Sequence, residues 1–305
     1  MSPPAVPPSP LPTGRVGYAA IVGRPNVGKS TFLNAVLAYH LVAVSDKPQT
    51  TRRNWRGILS TADSQIIFID TPGCHVGRTR LSEAMLKGVQ RSLEDADLIV
   101  CLTDPTRPPG EEDGLVAERV AAARKPVFLL LNKTDAAAAA ARATMRDFYL
   151  AKLGPATRVF EVCARQRDTL DPVLAAARQA LPVGSFFYDP EQVTDSFLRD
   201  IGAELVRESL LEHLHEEVPH ASAVAIERWQ EGDDRVRVEA TIFVERDSQK
   251  AIVVGHGGQM VKAIRRGAEQ RLTAVLGQRA TVHLFVKVAP DWRNQPRFLR
   301  DHGII

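Results

Sequence analysis

Cysteine is scarce. Three occur in 305 residues: Cys74, Cys101 and Cys163. Their number is odd, their spacing is wide and no CxxC pair exists, so neither a zinc site nor a disulfide framework is indicated. A reducing cytoplasm is the simplest home. Long apolar runs are also missing; none could span a bilayer. Net charge is only +3, too little to indicate a nucleic-acid partner by itself, so local clustering of charge matters more. No internal repeat is present. The first residues, 1–14, lack the basic start and apolar stretch of a secretory signal. Their proline and serine content reads as a disordered tail.

What is there is organised in two parts, as the length of the chain leads one to expect. From Tyr18 to Leu181, apolar runs YAAIV, IIFID, LIVCLTD, VFLLLN and RVFEV alternate with helix-like stretches. This order predicts an α/β domain over 15–182, with a mostly parallel sheet covered on both faces. Prolines, a glycine and aromatics over 181–195 break this rhythm, and residues 183–195 read as a linker that partly packs. Over 196–305 the pattern becomes α-β-β-α-α-β, a separate α+β domain with a C-terminal tail.

Residues 23–30, GRPNVGKS, fit G-x4-G-K-[ST] between a strand and a helix, the context that a phosphate loop needs. Arg24, Pro25, Asn26, Val27, Gly28 and Thr31 are the other expected nucleotide-binding residues here: the loop's backbone N–H groups (Pro25, which has none, shapes the turn), with the helix N-terminus, would face phosphate oxygens. Lys29 would reach the β- and γ-phosphates, and Ser30 would ligate Mg²⁺. The loop alone does not choose ATP over GTP. Asn132-Lys133-Thr134-Asp135 makes that choice. It ends an apolar strand on the same sheet edge. Asp135 can accept both adjacent donors of guanine, whereas adenine would leave it unpaired. Asn132 is placed near the base and the loops, and the stem of Lys133 over the ring. Asp70-Thr71-Pro72-Gly73 lies between the two motifs. Asp70 would hold Mg²⁺ through water, and the Gly73 N–H would sense the γ-phosphate. In the polar segment KPQTTRR (47–53), Thr51 is favoured over Thr50 to complete the Mg²⁺ shell. Lys29, Thr51 and Gly73 thus form the expected hydrolytic set.

These motifs, in this order, resemble the translation-factor-like P-loop GTPases. The PNVGKS and PQTTR forms resemble the bacterial Era GTPase family, over about residues 16–303. In the second domain, residues 252–264 (IVVGHGGQMVKAI) fit the type II KH pattern, a GxxG turn between two helices. Gly255, His256, Gly257, Gly258, Lys262, Arg265 and Arg266 are the expected RNA contacts. Residues 249–300 hold ten Lys/Arg against two acidic residues, whereas 193–248 are net −8. The resemblance implies GTP hydrolysis with Mg²⁺, binding to the 3′ end of 16S ribosomal RNA and to the maturing small ribosomal subunit, and peripheral association with the inner membrane. A monomer is expected. It also gives the base-capping loop to Cys163 and Ala164, and it gives Asn26 a part in coordinating K⁺.

The chain departs from its relatives in places. His256 stands where KH turns usually carry a basic residue. Arg265-Arg266 replaces an Ile-Gly pair, which puts the helix geometry there in question. Cys74 and His75 stand where many GTPases carry a water-orienting glutamine, so slow intrinsic turnover is expected. Trp292 reads as either a buried structural residue or a base-stacking one. Rival readings are a small-molecule kinase, a scaffold with GTP as a structural ligand, and a tail domain that docks protein or membrane instead of RNA.

Overall fold

The computed structural model describes residues 11–47, 50–73 and 79–304. The disorder expected for the first ten residues, and Cys74 and His75, lie outside them. The first domain is built on a seven-stranded sheet. Its strands are β1 (Thr13–Val22), β2 (Trp55–Ser60), β3 (Ser64–Asp70), β4 (Leu98–Thr103), β5 (Val127–Leu131), β6 (Arg158–Glu161) and β7 (Val183–Ser185). The order is β2-β3-β1-β4-β5-β6, with β7 on the early part of β1. All pairings are parallel except β2 with β3 and β7 with β1. Strands β3 and β4 are buried along their whole length, as their central apolar runs require of strands covered on both faces.

Helices α1 (Lys29–Leu37), α2 (Arg80–Asp95), α3 (Glu111–Ala123), α4 (Ala139–Leu153) and α5 (Asp171–Ala180) cover the sheet. Strand β1 begins at Thr13, ahead of its apolar run and inside the segment expected to be a tail. Backbone pairing sets this start. Thr13 to Arg15 pair with β7, and Arg15 onward with β3. At Gly14 a Cβ would lie 2.2 Å from the Asp63 carbonyl oxygen, so glycine permits the close approach.

The expected linker is fastened to the first domain. Beyond β7, the Gln65 side chain accepts from the N–H groups of Phe187 and Tyr188 at 2.9 and 3.0 Å, and Thr194 bridges to Gly57.

The second domain runs α6 (Leu198–His213), β8 (Ala223–Glu231), β9 (Arg235–Val244), α7 (Asp247–Val254), α8 (Gln259–Leu276) and β10 (Arg279–Val288). Its sheet has the order β10-β9-β8, with β10 parallel to β9 and β8 antiparallel to it. This is the expected α-β-β-α-α-β order. Helix α8 is unbroken through Arg265 and Arg266. The close crossing comes one residue later, at Gly267, where a Cβ would meet Ser209 Oγ of α6 at 2.4 Å. A last helix, α9 (Pro296–Asp301), follows. Trp292 is fully buried and donates its indole N–H to the Ala221 carbonyl at 2.9 Å, which makes it structural.

Helix α2 sits astride both domains. Val89 and Leu93 pack into the first core. Leu81 and Met85 pack with Ala223, Phe243, Trp292 and Leu299 of the second.

Candidate nucleotide and RNA sites

The phosphate loop bends where β1 ends and α1 begins. Gly28 has φ +99°, and a Cβ there would lie 2.4 Å from Asn132 Nδ2, so a side chain would push the two motifs apart. Lys29 is buried, its ammonium donating to the carbonyls of Gly23 and Arg24 at 3.1 and 2.9 Å. A cleft of about 590 Å³ opens beside it. Of the expected nucleotide residues, Pro25, Asn26, Gly28, Lys29, Ser30, Thr31, Thr51, Gly73, Asn132, Lys133, Asp135, Cys163 and Ala164 line it.

Arg24 and Val27 do not line the cleft. The Arg24 side chain turns into the protein, to Asp113 Oδ1 at 3.2 Å and the Asp104 carbonyl at 3.2 Å. Asp113 also accepts from Tyr149 Oη at 3.0 Å. Val27 is buried in the first domain's core. Their part is to hold the loop's shape. In the base-capping loop, the Ala164 N–H donates to Asn132 Oδ1 at 2.9 Å. Cys163 lies against Asp135, and burial, the larger cause, raises its thiol pKa together with that carboxylate.

Three hydroxyl and carboxylate oxygens meet at one point. Ser30 Oγ lies 2.9 Å from both Thr51 Oγ1 and Asp70 Oδ2, and Thr51 Oγ1 lies 3.3 Å from Asp70 Oδ2. Thr50 instead donates its hydroxyl to the Lys47 carbonyl at 2.6 Å. Asp70 is fully buried, and burial pushes its carboxyl up to about 6 against the pull of Lys29, Ser30 and Thr51. Its Oδ1 has no hydrogen-bond partner among the described residues. A buried, orphaned carboxylate oxygen beside two hydroxyls suits Mg²⁺, a hard cation that takes few protein ligands and completes its shell with phosphate and water. No cluster of three or more His, Cys, Asp or Glu among the described residues offers a different kind of metal site.

Asn132 and Lys133 tie the base-reading motif to the phosphate loop. Asn132 Nδ2 donates to the Val27 carbonyl at 2.7 Å. Lys133, at φ +58°, donates to the Asn26 carbonyl at 2.9 Å and to Asp104 Oδ2 at 2.7 Å. Gly73 packs on the loop as well; a Cβ there would lie 2.9 Å from the Pro25 nitrogen. The sequence reading missed Ala43 to Asp46, which also line the cleft. Asn26 Nδ2 donates to the Asp46 carbonyl at 2.5 Å. Only the position of VAVSD just ahead of KPQTTRR marks these residues.

In the second domain the GxxG turn is built as expected. Gly255, Gly257 and Gly258 have φ of +71°, +58° and +78°. His256 and Gly257 are exposed, and no atom lies within 4 Å of a Cβ built at Gly257. A phosphate can therefore approach that backbone closely. The Lys262 side chain passes Gly258. Arg265 is less available than expected, since its Nη1 binds both carboxylate oxygens of Glu269 at 2.7 and 2.8 Å. Arg266 lies away from the turn with Glu212, His213 and Arg271, along the groove between α6 and α8. The basic run is also partly neutralised by the acidic one. Arg271 pairs with Glu208 and Glu212, and Arg293 with Glu245.

The fold and the cleft define a P-loop GTPase domain followed by a KH domain. The model of the family described as 50S ribosome-binding GTPase matches residues 18–133, and that of the KH domain matches 217–293. GTPase Era of Staphylococcus haemolyticus (strain JCSC1435) is 38% identical over 290 residues, which are 95% of this chain and 97% of that protein. GTPase Era of Lacticaseibacillus paracasei is 38% identical over 288 residues, 94% and 96% of the two chains. A solved Era variant of Aquifex aeolicus bound to GDP·AlF4⁻ superposes with a TM-score of 0.90 at 34% identity, over 95% of this chain and 99% of that one. The same values hold for a structure of Era in complex with MgGDPNP and nucleotides 1506–1542 of 16S ribosomal RNA. The chain belongs to the Era family of GTPases, enzymes that hydrolyse GTP.

Proposed function

We propose that the chain is a GTP-controlled RNA-binding switch that grasps the 3′ end of 16S ribosomal RNA and serves maturation of the small ribosomal subunit. One observation carries the reading: the gathered Ser30, Thr51 and Asp70 oxygens and an open left-handed GxxG turn belong to one chain. The relative solved with 16S ribosomal RNA nucleotides supports the choice of RNA.

In the cleft, Asp135 accepts from guanine, and Lys29 and the N-terminus of α1 hold the phosphates. Ser30, Thr51 and Asp70 would hold Mg²⁺, which when bound offsets phosphate charge. Water attacks the γ-phosphorus as the bond to the bridging oxygen breaks; GDP leaves with that electron pair, and the water's proton passes to the phosphate product or to solvent. Loss of the γ-phosphate removes the group around which Thr51 and Gly73 gather. The segment around Thr51 lies against the KH domain, through Arg52 on the Ser222 carbonyl at 2.6 Å, so the change reaches the RNA site.

At the turn, the glycines admit the sugar–phosphate backbone, and about four single-stranded bases lie alongside. The resemblance supports cytoplasmic work by a monomer and peripheral contact with the inner membrane. No helix among the described residues is long and apolar enough to cross a membrane.

The test is binding of fluorescent RNA carrying the 3′-terminal 16S sequence, with a scrambled RNA and Gly258→Asp as controls. Sequence-selective binding that the variant loses is expected, because a carboxylate beside phosphate repels it. Equal binding of both RNAs, or by the variant, contradicts the reading.

A further inference from the structure

Thr51 stands in a segment without regular secondary structure, Thr50 to Asn54. Such a segment does not fix a hydroxyl by its own ladder of hydrogen bonds; something else must hold it. The residues on either side of Thr51 are held by the KH domain. The carbonyl of Thr50, part of the peptide plane that leads into Thr51, accepts from Arg207 Nη2 of α6. Arg52, next along the chain, is buried. Its guanidinium donates to the carbonyls of Ser222, His220 and Pro219 at 2.6, 3.2 and 3.3 Å. Only the middle residue turns to the metal-site oxygens.

The helix that reaches over is shaped for this. Glu204, Arg207, Glu208 and Leu211 share one face of α6 by their i, i+3, i+4, i+7 spacing. Glu204, Arg207 and Glu208 are each less than a tenth exposed. Arg207 is aimed by Glu204, whose two carboxylate oxygens accept from Nε at 3.0 Å and Nη2 at 2.5 Å. Glu208 accepts from the Val44 N–H at 3.0 Å and pairs with His40 at 2.8 Å. The Leu211 carbonyl accepts from Lys47. The same stripe thus grips the segment at residues 40, 44, 47 and 50.

Stability does not account for this wiring. Arg207 Nη1 and Arg52 Nε are buried without a hydrogen-bond partner among the described residues. Two like charges, Arg52 and Arg207, are also buried close together. An apolar seam would serve mere attachment at less cost.

We infer that Arg207 of the KH domain, aimed by Glu204, is a positioning residue for the Mg²⁺ ligand Thr51, so that the KH domain supplies a working part of the GTPase site. This rests on the reading of Thr51 as a ligand. Arg207 touches no substrate. It fixes the peptide plane from which Thr51 Oγ1 is placed, and hydrolysis is sensitive to such placement.

The test is a double-mutant cycle in the full-length protein, with Arg207→Gln, Thr51→Ala and both together. GTP hydrolysis, GDP affinity and RNA affinity are measured at saturating Mg²⁺. Arg207→Gln lowers kcat about tenfold, while GDP affinity, which does not need Thr51, stays within about twofold. In the Thr51→Ala background the same change lowers kcat by less than about twofold, because the group it positions is gone. Arg207→Lys keeps the charge but not the fork that spans Glu204 and the Thr50 carbonyl, so it restores less than half of the lost rate. If Arg207→Gln fails to fold, shown by lost GDP and RNA binding, Arg207→Lys replaces it in the cycle. Losses that multiply in the double variant overturn the inference and leave Thr51 as a ligand. A Thr51→Ala protein with unchanged kcat overturns the reading of the ligand itself, and the inference with it.

Discussion

The Asn132 side-chain amide donates to the backbone carbonyl of Val27 at 2.7 Å and accepts from the Ala164 N–H at 2.9 Å. One residue therefore clamps the phosphate loop and the base-side loop together, although the clamped residues are far apart in sequence. Both partners are buried. Asn132→Ala leaves a buried donor and a buried acceptor unpaired, each costing about 1–3 kcal/mol. GTP and GDP affinity should fall together, by about tenfold to a hundredfold, in a titration with fluorescent analogues. A loss confined to GTP contradicts the clamp.

Asp104 anchors Lys133. Burial would raise its carboxyl pKa, but hydrogen bonds from Lys133 and Thr106 outweigh burial and hold it below the ordinary value of 3.8. A carboxylate lowered in the folded state contributes stability above its unfolded value, and that contribution is lost as the pH falls through the folded one. Asp104→Asn should therefore be less stable than the parent by an amount that is the same at pH 7 and pH 5. The difference should shrink below pH 3.8. Urea unfolding at several pH values checks this; a gap that widens in acid contradicts it.

Gly267 lets α6 and α8 meet. Alanine is the better helix former by about 1 kcal/mol, yet here its Cβ would lie 2.4 Å from Ser209 Oγ. Gly267→Ala should destabilise the KH domain by about 1–3 kcal/mol and weaken RNA binding. Adding Ser209→Ala, which removes the clashing oxygen, should recover most of the loss. Thermal unfolding of the two variants decides; a Gly267→Ala protein more stable than the parent rules the crossing out.

Asn26 brings the Asp46 carbonyl to the phosphate loop. The resemblance gives Asn26 a part in coordinating a monovalent cation near the transferring phosphate, and this hydrogen bond keeps its side chain beside a segment that carries backbone carbonyls. Hydrolysis should be faster in K⁺ than in Na⁺, and Asn26→Ala should abolish the difference. Equal rates for the parent in the two salts contradict the assignment.

Much of this was legible in the sequence, for physical reasons that differ by element. The phosphate loop, Asp70, NKTD and the GxxG turn were readable because each needs particular residue types at fixed spacing. Strands β3 and β4 were readable because burial on both faces gives each an apolar run, IIFI and LIVCL, with polar residues kept to the ends. Strand β2, WRGILS, was missed because its antiparallel edge position needs no continuous apolar run. The early half of β1 was missed because backbone pairing with β7, far away in sequence, makes it a strand. The inward turn of the Arg24 side chain was not readable because the loop motif fixes its backbone only, while Asp113, distant in sequence, captures its side chain. The grip of Arg207 on Thr50 was invisible for the same reason: it depends on how two domains dock. The one trace was buried polar spacing in α6, which without coordinates looks like an exposed charged face.

The most direct measurement is the affinity of the full-length protein for the 3′-terminal 16S RNA in two states, with GTP analogue and with GDP, both with Mg²⁺. The account predicts tighter binding in the GTP-analogue state by about tenfold or more, with the difference lost in Thr51→Ala. Equal affinity in both states would contradict a switch and leave a GTPase whose RNA binding the nucleotide does not control.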